Sequence, residues 1–251
     1  MVLTILSLIW LWQQWPDRRL HIVFCDVGQG DAALVVWGSF QALVDTGPNE
    51  DKLSACLGKE MPFWDRQIEL VFISHPQKDH NGVLDILKER YNLTKVVERA
   101  SESDVYRYKD LYFDVVTNND DDLKNAQKNE SEENEDSIVV YLKYFDFSVL
   151  FTADIGEETE LALLEQGVLK KTTVLKVPHH GSKNSSTLTF LEKLRPSWAV
   201  VSVGAGNSYG HPSVDSLMRL DQVGAKVLRT DTNGTVEVVT DGERLSVYSE
   251  R

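Results

Sequence analysis

Short apolar runs of strand length recur along the chain and are separated by turns or by segments of helical period. Glycine-bearing turns separate the first three runs, at residues 21–27, 32–37 and 42–44, which predicts an antiparallel meander. Further strands are predicted at residues 70–73, 95–97, 112–116, 138–141, 148–151, 174–177 and 198–203, and helices at residues 51–57, 82–90, 157–166 and 188–194. A final helix capped by Ser213, and strands with turns at Asn233-Gly234 and Asp241-Gly242, close the chain. This order predicts an α/β fold in which helices cover two packed sheets.

Two segments depart from this pattern. Residues 2–12 are nearly all apolar and lead through Trp12 and Trp15 to Arg18 and Arg19. The run is too short for the ~20 apolar residues of a full membrane span. We therefore expect residues 1–19 to be the end of a truncated span or a membrane anchor; a buried N-terminal helix is the alternative. Residues 118–136 hold eight acidic residues, which predicts a mobile, solvated loop within a folded domain of residues 20–251.

The composition, 42% hydrophobic and 26% charged, is that of an ordinary globular protein. The net charge of −13 argues against a nonspecific nucleic-acid coat, because such proteins are usually basic. A phosphate substrate is still compatible, since bound divalent ions supply positive charge locally. Cys25 lies in a strand pattern and Cys56 in a helix pattern, and we expect both to be buried thiols.

Side chains suited to metal binding gather where predicted strands end. Ser74-His75-Pro76-Gln77-Lys78-Asp79-His80 follows the strand that ends at Ile73, and other strands are followed by Asp45, Asp154, His179-His180 and His211. Imidazole nitrogen suits zinc, iron or manganese, and carboxylate is a harder oxygen donor. The first cluster alone fits a solvent-facing loop equally well. Five of the six histidines lie at such junctions, and this recurrence favours a metal site.

These motifs resemble a known family. Ser-His-x-x-x-Asp-His after a strand, with a later aspartate and histidine after further strands, is similar to the metallo-β-lactamase superfamily, whose fold is the four-layer αββα sandwich. More narrowly, four segments resemble the C-terminal domain of ComEC-type competence proteins, which are membrane channels of bacterial DNA uptake. They are Asp26-Val27-Gly28-Gln29-Gly30-Asp31-Ala32, Phe151-Thr152-Ala153-Asp154, Val177-Pro178-His179-His180-Gly181-Ser182 and Tyr209-Gly210-His211-Pro212.

The resemblance implies a site for two divalent metal ions. His75 and Gln77 would bind the first ion. Asp79 and His80 would bind the second, Asp154 would bridge the two, and His180 or His179 would complete the second set. Asp45 would orient a ligand through a hydrogen bond.

The resemblance also implies roles at the substrate. Asp79 would act catalytically by orienting the nucleophile. His211 would contact the scissile phosphate or protonate the leaving group, and Ser182 and Asn207 would help to bind substrate.

Two departures from the family weaken the first metal position. Gln77 stands where the superfamily has histidine and the competence proteins aspartate, and no histidine lies between Asn81 and Leu150. A neutral amide can bind a metal without neutralising its charge, so we expect the first ion to bind weakly or to be missing. An oxygen-rich set favours manganese, with zinc as the alternative.

The resemblance implies a metal-dependent phosphodiesterase that cuts single-stranded DNA at the bacterial cell membrane. Its partners would be single-stranded DNA and a membrane channel domain of the same or another protein, and it would need no small organic cofactor. Either membrane face is compatible with the sequence. One alternative is a non-catalytic module that guides DNA into a channel, which Gln77 and the missing histidine favour. The other is a metallo-hydrolase of a small ester, lactone or phosphodiester.

Overall fold

The structure is a computed structural model that describes residues 17–98, 100, 104–116, 134 and 137–251. Most of the apolar segment predicted at residues 1–19 lies outside these ranges, as does the acidic loop predicted at 118–136 apart from Asn134. Within the described ranges, no helix is long and apolar enough to cross a membrane.

Two seven-stranded sheets and a small two-stranded sheet, β4 with β6, contain all the described strands. In chain order the strands are β1 (Leu20–Phe24), β2 (Ala33–Trp37), β3 (Phe40–Val44), β4 (Gln67–Ile68), β5 (Leu70–Phe72), β6 (Asn92–Leu93), β7 (Val96–Val97), β8 (Val105–Tyr108), β9 (Leu111–Val116), β10 (Val139–Tyr144), β11 (Phe147–Phe151), β12 (Val174–Lys176), β13 (Trp198–Val201), β14 (Lys226–Arg229), β15 (Val236–Thr240) and β16 (Leu245–Ser249).

Each large sheet combines antiparallel and parallel pairing. The first sheet has the order β16-β15-β1-β2-β3-β5-β7, and its last two pairings, β3 with β5 and β5 with β7, are parallel. The second sheet has the order β14-β13-β12-β11-β10-β9-β8, and it is parallel from β11 to β14. The meander predicted for the first three strands is confirmed, because β1, β2 and β3 pair antiparallel.

Helices cover the outer face of each sheet. They are α1 (Glu50–Glu60), α2 (Lys78–Asn81), α3 (Leu84–Arg90), α4 (Glu157–Glu165), α5 (Leu188–Leu194), α6 (Val214–Gln222) and α7 (Thr230–Asn233). Leu53 of α1 and Leu87 of α3 pack on the first sheet, and Leu163 of α4 and Phe190 of α5 pack on the second. The Ser213 side chain accepts a hydrogen bond from Ser216 N, so the predicted cap of α6 is confirmed.

Strand alternation creates the layers, because successive side chains of a strand point to opposite faces. In β1, Leu20, Ile22 and Phe24 pack between the two sheets, whereas Val23 faces the helices. In β10, Val140 lies between the sheets and Val139 faces the other helices. The predicted αββα sandwich is therefore confirmed.

The two cysteines form a disulfide, so the prediction of buried free thiols was wrong. Cys25 follows β1 and Cys56 lies in α1, and their Cα atoms are 5.9 Å apart. Both side chains are buried in the apolar layer between the first sheet and its helices. The packing of α1 over the end of β1 brings together two residues that are 31 positions apart in sequence.

We expect loss of this disulfide to lower the free energy of unfolding. A crosslink across 31 positions restricts the unfolded chain and typically contributes about 2–4 kcal/mol. Cys25→Ala/Cys56→Ala should therefore unfold at lower urea concentration than the oxidised protein. Reduced wild-type protein is the control and should resemble the double variant. A double variant as stable as the oxidised protein would contradict the expectation.

Candidate metal centre

The candidate site lies at the carboxyl ends of four neighbouring strands. Asp45 directly follows β3, and the segment from Ser74 to His80 follows β5 in the same sheet. Asp154 follows β11 and His180 follows β12 in the opposite sheet. Because carboxyl ends of parallel strands meet at one edge of a sheet, the loops of both sheets converge there.

Four side chains at this edge form a compact set of possible ligands. One atom each from Asp79, His80, Asp154 and His180 lies within 4.8 Å of every other. The Asp154 carboxylate lies between two rings: Oδ1 is 3.3 Å from His80 Nε2 and Oδ2 is 3.3 Å from His180 Nε2. Asp79 Oδ2 lies 3.6 Å from the same nitrogen of His180. We call these four residues the ligand cluster.

Unsatisfied atoms show that the ligand cluster fits a cation. In the described part of the chain, no atom completes a hydrogen bond with the buried Nε2 atoms of His75, His80 and His180 or with Asp154 Oδ1. A buried polar atom without a partner costs about 1–3 kcal/mol. Two imidazole nitrogens and two carboxylates in contact suit a divalent transition metal. Metal coordination would satisfy the atoms that hydrogen bonds leave unpaired.

Hydrogen bonds at the other ring nitrogen hold each histidine in place. His80 Nδ1 lies 2.8 Å from Asp45 Oδ2, and His180 Nδ1 lies 2.7 Å from the carbonyl oxygen of Ser202. Each acceptor lacks a proton to donate, so Nδ1 carries a hydrogen and Nε2 is the nitrogen that would bind a metal. His75 Nδ1 is 3.0 Å from Ser74 Oγ.

Asp45 has hydrogen bonds that fit the orienting role that the resemblance implies for it. Its Oδ1 accepts a hydrogen bond from Ser74 N at 2.7 Å, and its Oδ2 accepts one from Ser74 Oγ at 2.9 Å in addition to the bond from His80. Asp45, Ala153, His179 and His180 all have left-handed backbone, with φ between 49° and 61°. Such backbone costs about 1–3 kcal/mol per residue and concentrates at functional sites.

The ligand cluster has a strongly negative field. Burial alone would lower the pKa of His180, but Asp154 and Asp31 outweigh it and raise that pKa to about 9. Burial would also lower the pKa of His80, but Asp154 and Asp45 outweigh it and raise that pKa well above its usual value. A field that favours a proton on these rings also favours a metal cation, which displaces the proton on binding.

Sequence reasoning missed an ion pair beside the ligand cluster. Lys176 is buried and its Nζ pairs with Asp31 Oδ2. The same Nζ donates to the carbonyl oxygen of Ala153 at 2.9 Å and lies 3.5 Å from Asp154 Oδ1. Burial would lower the pKa of Lys176, but Asp31 and Asp154 raise it, so the ammonium group keeps its charge. The available signal was a lysine inside the apolar run of β12.

The first metal position that the resemblance implies has fewer charged groups than the second. Gln77 lies beside the site, and its Nε2 donates to Asn134 Oδ1 at 2.7 Å. His75 is close, since its ring centroid is 4.0 Å from that of His80. Burial, followed by repulsion from His80, lowers the pKa of His75 to about 4. Of the described residues that the resemblance implies for the first ion, His75 is therefore neutral and Gln77 is bonded to another amide.

The other predicted residues lie around the ligand cluster. His179 is outside it, and its ring packs edge-on against His211 with centroids 5.8 Å apart. Ser182 is buried and its Oγ accepts a hydrogen bond from Asn184 N. The Asn207 amide donates to the carbonyl oxygen of His211 at 2.7 Å and accepts from His211 N at 3.0 Å. Ser182 and Asn207 thus support loops beside the site.

The chain is similar in sequence to several curated proteins. ComE operon protein 3 of Bacillus subtilis is 29% identical over 84% of this chain and 32% of its own length. Competence protein ComA of Neisseria gonorrhoeae is 26% identical over 93% of this chain and 35% of its own length. The chain thus spans about a third of the length of the curated relatives that it matches.

A solved structure shows the same fold. The metallo-beta-lactamase fold protein YhfI from Bacillus subtilis superimposes with a TM-score of 0.59 over 87% of this chain and 99% of its own, at 10% identity. The sequence profile of the metallo-beta-lactamase superfamily matches residues 25–204, a range that contains both sheets' site loops and every member of the ligand cluster. The fold, the ligand cluster and this match together establish that the chain belongs to the metallo-beta-lactamase superfamily.

Proposed function

We propose that the protein is a metal-dependent phosphodiesterase that cuts single-stranded DNA during bacterial DNA uptake. The observation that carries the proposal is the ligand cluster, whose unpaired Nε2 atoms lie next to the ring pair of His179 and His211. A curated relative that is named a competence protein supports the setting.

Each residue has a chemical task in this proposal. Bound divalent metal would polarise the phosphate and lower the pKa of water. Asp79 has the most exposed side chain of the ligand cluster, at 31%, whereas the other three side chains are at most 3% exposed. It would orient the attacking water. Burial, then His179, lowers the pKa of His211, so its neutral ring would donate a hydrogen bond to a phosphate oxygen.

Two exposed lysines support binding of a phosphate chain by this acidic protein. Lys78 directly precedes Asp79, and Lys183 directly follows Ser182. Both are exposed, and no carboxylate of the described residues forms an ion pair with either ammonium group. Their charge is therefore available to phosphate at the rim of the site.

The disulfide supports a position on the oxidising side of the membrane. Disulfides persist in extracellular and periplasmic compartments and are rare in the cytosol. The Cys25–Cys56 bond lies in the apolar layer between the first sheet and its helices, so it is part of the folded domain. We propose that this domain faces outward and delivers its product to a membrane channel domain of the same or a partner protein.

The direct test compares labelled single-stranded and duplex DNA in the presence of manganese. We expect faster cleavage of the single strand and loss of cleavage when a chelator is added. Rapid hydrolysis of a small phosphodiester or lactone, with DNA left intact, would favour the metallo-hydrolase alternative instead.

A non-catalytic DNA-guiding module is the second candidate. The observation in its favour is the hydrogen bond between the Gln77 and Asn134 amides, because the resemblance implies that residue 77 would bind the first ion. This candidate predicts that the protein binds single strands and leaves them uncut at any manganese concentration.

We propose that one metal ion binds much more tightly than the other. The ligand cluster supplies two carboxylates and two imidazoles to one position, whereas Gln77 brings no charge to the other. We expect about one ion per chain after dialysis and about two in excess manganese, measured by elemental analysis. Two ions retained through exhaustive dialysis would contradict this.

Gln77→Asp should strengthen the weaker position, because a carboxylate neutralises the cation's charge. Calorimetric titration with manganese measures the change. Gln222→Asp is the matched control, since Gln222 is exposed on α6 and adds the same charge outside the site. Equal manganese affinity in the two variants would mean that residue 77 is not a ligand.

A further inference from the structure

An aromatic side chain beside the site is largely exposed to solvent. Tyr209 is 70% exposed, and its ring is stacked on that of His211, with centroids 5.9 Å apart and planes 15° apart. His211 in turn contacts His179 edge-on at 5.8 Å, and His179 precedes His180 of the ligand cluster. Ring contacts thus lead from solvent through Tyr209, His211 and His179 to the ligand cluster.

The loop that presents Tyr209 is held in one conformation. Asn207 binds the main chain of His211 through both ends of its amide, and Asn207 N donates to the carbonyl oxygen of Gly204. Gly210 has a φ of +72°, which places a tight bend directly after Tyr209. Since the loop is braced on both sides of the ring, stacking a ligand on Tyr209 would cost little conformational entropy.

The loop is also braced against the metal-binding segment. Ser213 N donates to the carbonyl oxygen of Gly181 at 2.8 Å, and a Cβ atom on Gly181 would lie 2.5 Å from Pro212 Cβ. A side chain at position 181 would therefore separate the two loops. Their close contact holds the loop that carries the exposed ring against Gly181, the residue after His180.

We propose, resting on the proposed nuclease function, that Tyr209 stacks on an unpaired nucleobase next to the phosphate bound at His211. Base stacking on an aromatic ring tolerates any sequence, because every base has a π-face. The bases of a duplex are stacked on each other and are not available to the ring. Tyr209 is thus a residue that selects single-stranded over duplex DNA and binds the strand without relying on charge.

The test measures KM and kcat for manganese-dependent cleavage by four proteins: wild type, Tyr209→Ala, Tyr209→Phe and Tyr248→Ala. Loss of one stacked base typically weakens binding about 5- to 150-fold, so we expect Tyr209→Ala to raise KM within this range and to change kcat little. Tyr209→Phe keeps the ring and should resemble wild type. Tyr248 is the matched control, since it is 53% exposed on β16, and its replacement should have no effect.

A second DNA substrate, a single strand with abasic sites, lacks the bases, while the protein is unchanged. Wild type should lose affinity for this strand, and Tyr209→Ala should have the same KM as wild type on it. This arm is decisive even where Tyr209→Ala alters its own loop. Equal KM values for Tyr209→Ala and Tyr248→Ala on the normal strand would overturn the stacking role and leave the nuclease proposal intact. If wild type neither binds nor cuts single strands, both proposals fail.

Discussion

Asp79→Asn should reduce manganese-dependent cleavage of single-stranded DNA by ~10²-fold or more. The substitution is nearly isosteric, and the Asp79 side chain is 31% exposed at the first turn of α2, so we expect the fold to persist. It removes the carboxylate that lies 3.6 Å from His180 Nε2 and with it both a charged ligand and the group that orients water. Initial rates on end-labelled strands measure the loss.

Asp85→Asn is the matched control for this variant. Asp85 lies on α3, six positions further along the chain, and its side chain is 95% exposed. Its replacement makes the same change of charge at a surface position and should leave the cleavage rate unchanged. Equal rates for Asp79→Asn and wild type, in proteins with equal melting temperatures, would exclude Asp79 from catalysis.

The layered fold could be predicted because strand periodicity and burial agree in most elements. The predicted helix at residues 188–194 matches α5, and the strands of the meander lie where the apolar runs are. The outermost strand, β8, was not predicted: Val105 is 55% exposed and half of the strand faces solvent. An edge strand with one partner lacks the apolar alternation that marks a central one.

Helix boundaries differed where polar residues continue a helix. The helix predicted at residues 51–57 extends to Glu60 in α1, since Gly58, Lys59 and Glu60 complete its exposed last turn. The helix predicted at residues 82–90 begins two residues later, at Leu84 of α3, and the Asp79-His80 segment before it forms a separate helical turn, α2, that was not predicted. His80 lies in this turn, with its Nε2 3.3 Å from Oδ1 of the buried Asp154.

Contacts between distant elements were beyond sequence reasoning. Cys25 and Cys56 meet only because α1 packs on the first sheet. Asp31 and Lys176 meet because a loop of the first sheet lies over a strand of the second. Motif spacing predicts which residues follow strands, but the pairing across the two sheets depends on how the layers pack.

Lys176→Met should lower the free energy of unfolding by about 3–5 kcal/mol, because it leaves Asp31 buried without its partner. Lys176 and Asp31 have side-chain exposures of 4% and 7%, so water cannot replace the lost ammonium group. Methionine fills a similar volume, which limits the contribution of a cavity. Urea unfolding of chelator-treated protein measures the loss without a contribution from bound metal.

Two further variants separate the buried charge from other effects. Lys170 pairs with Asp114 at 3.6 Å and is 63% exposed, so Lys170→Met should cost less than about 1 kcal/mol. Adding Asp31→Asn to Lys176→Met removes the unpaired carboxylate and should restore part of the lost stability. If Lys176→Met destabilises the protein no more than Lys170→Met, the ion pair does not stabilise the fold. If the double variant recovers nothing, the cost of Lys176→Met arises from lost packing and not from the unpaired charge of Asp31.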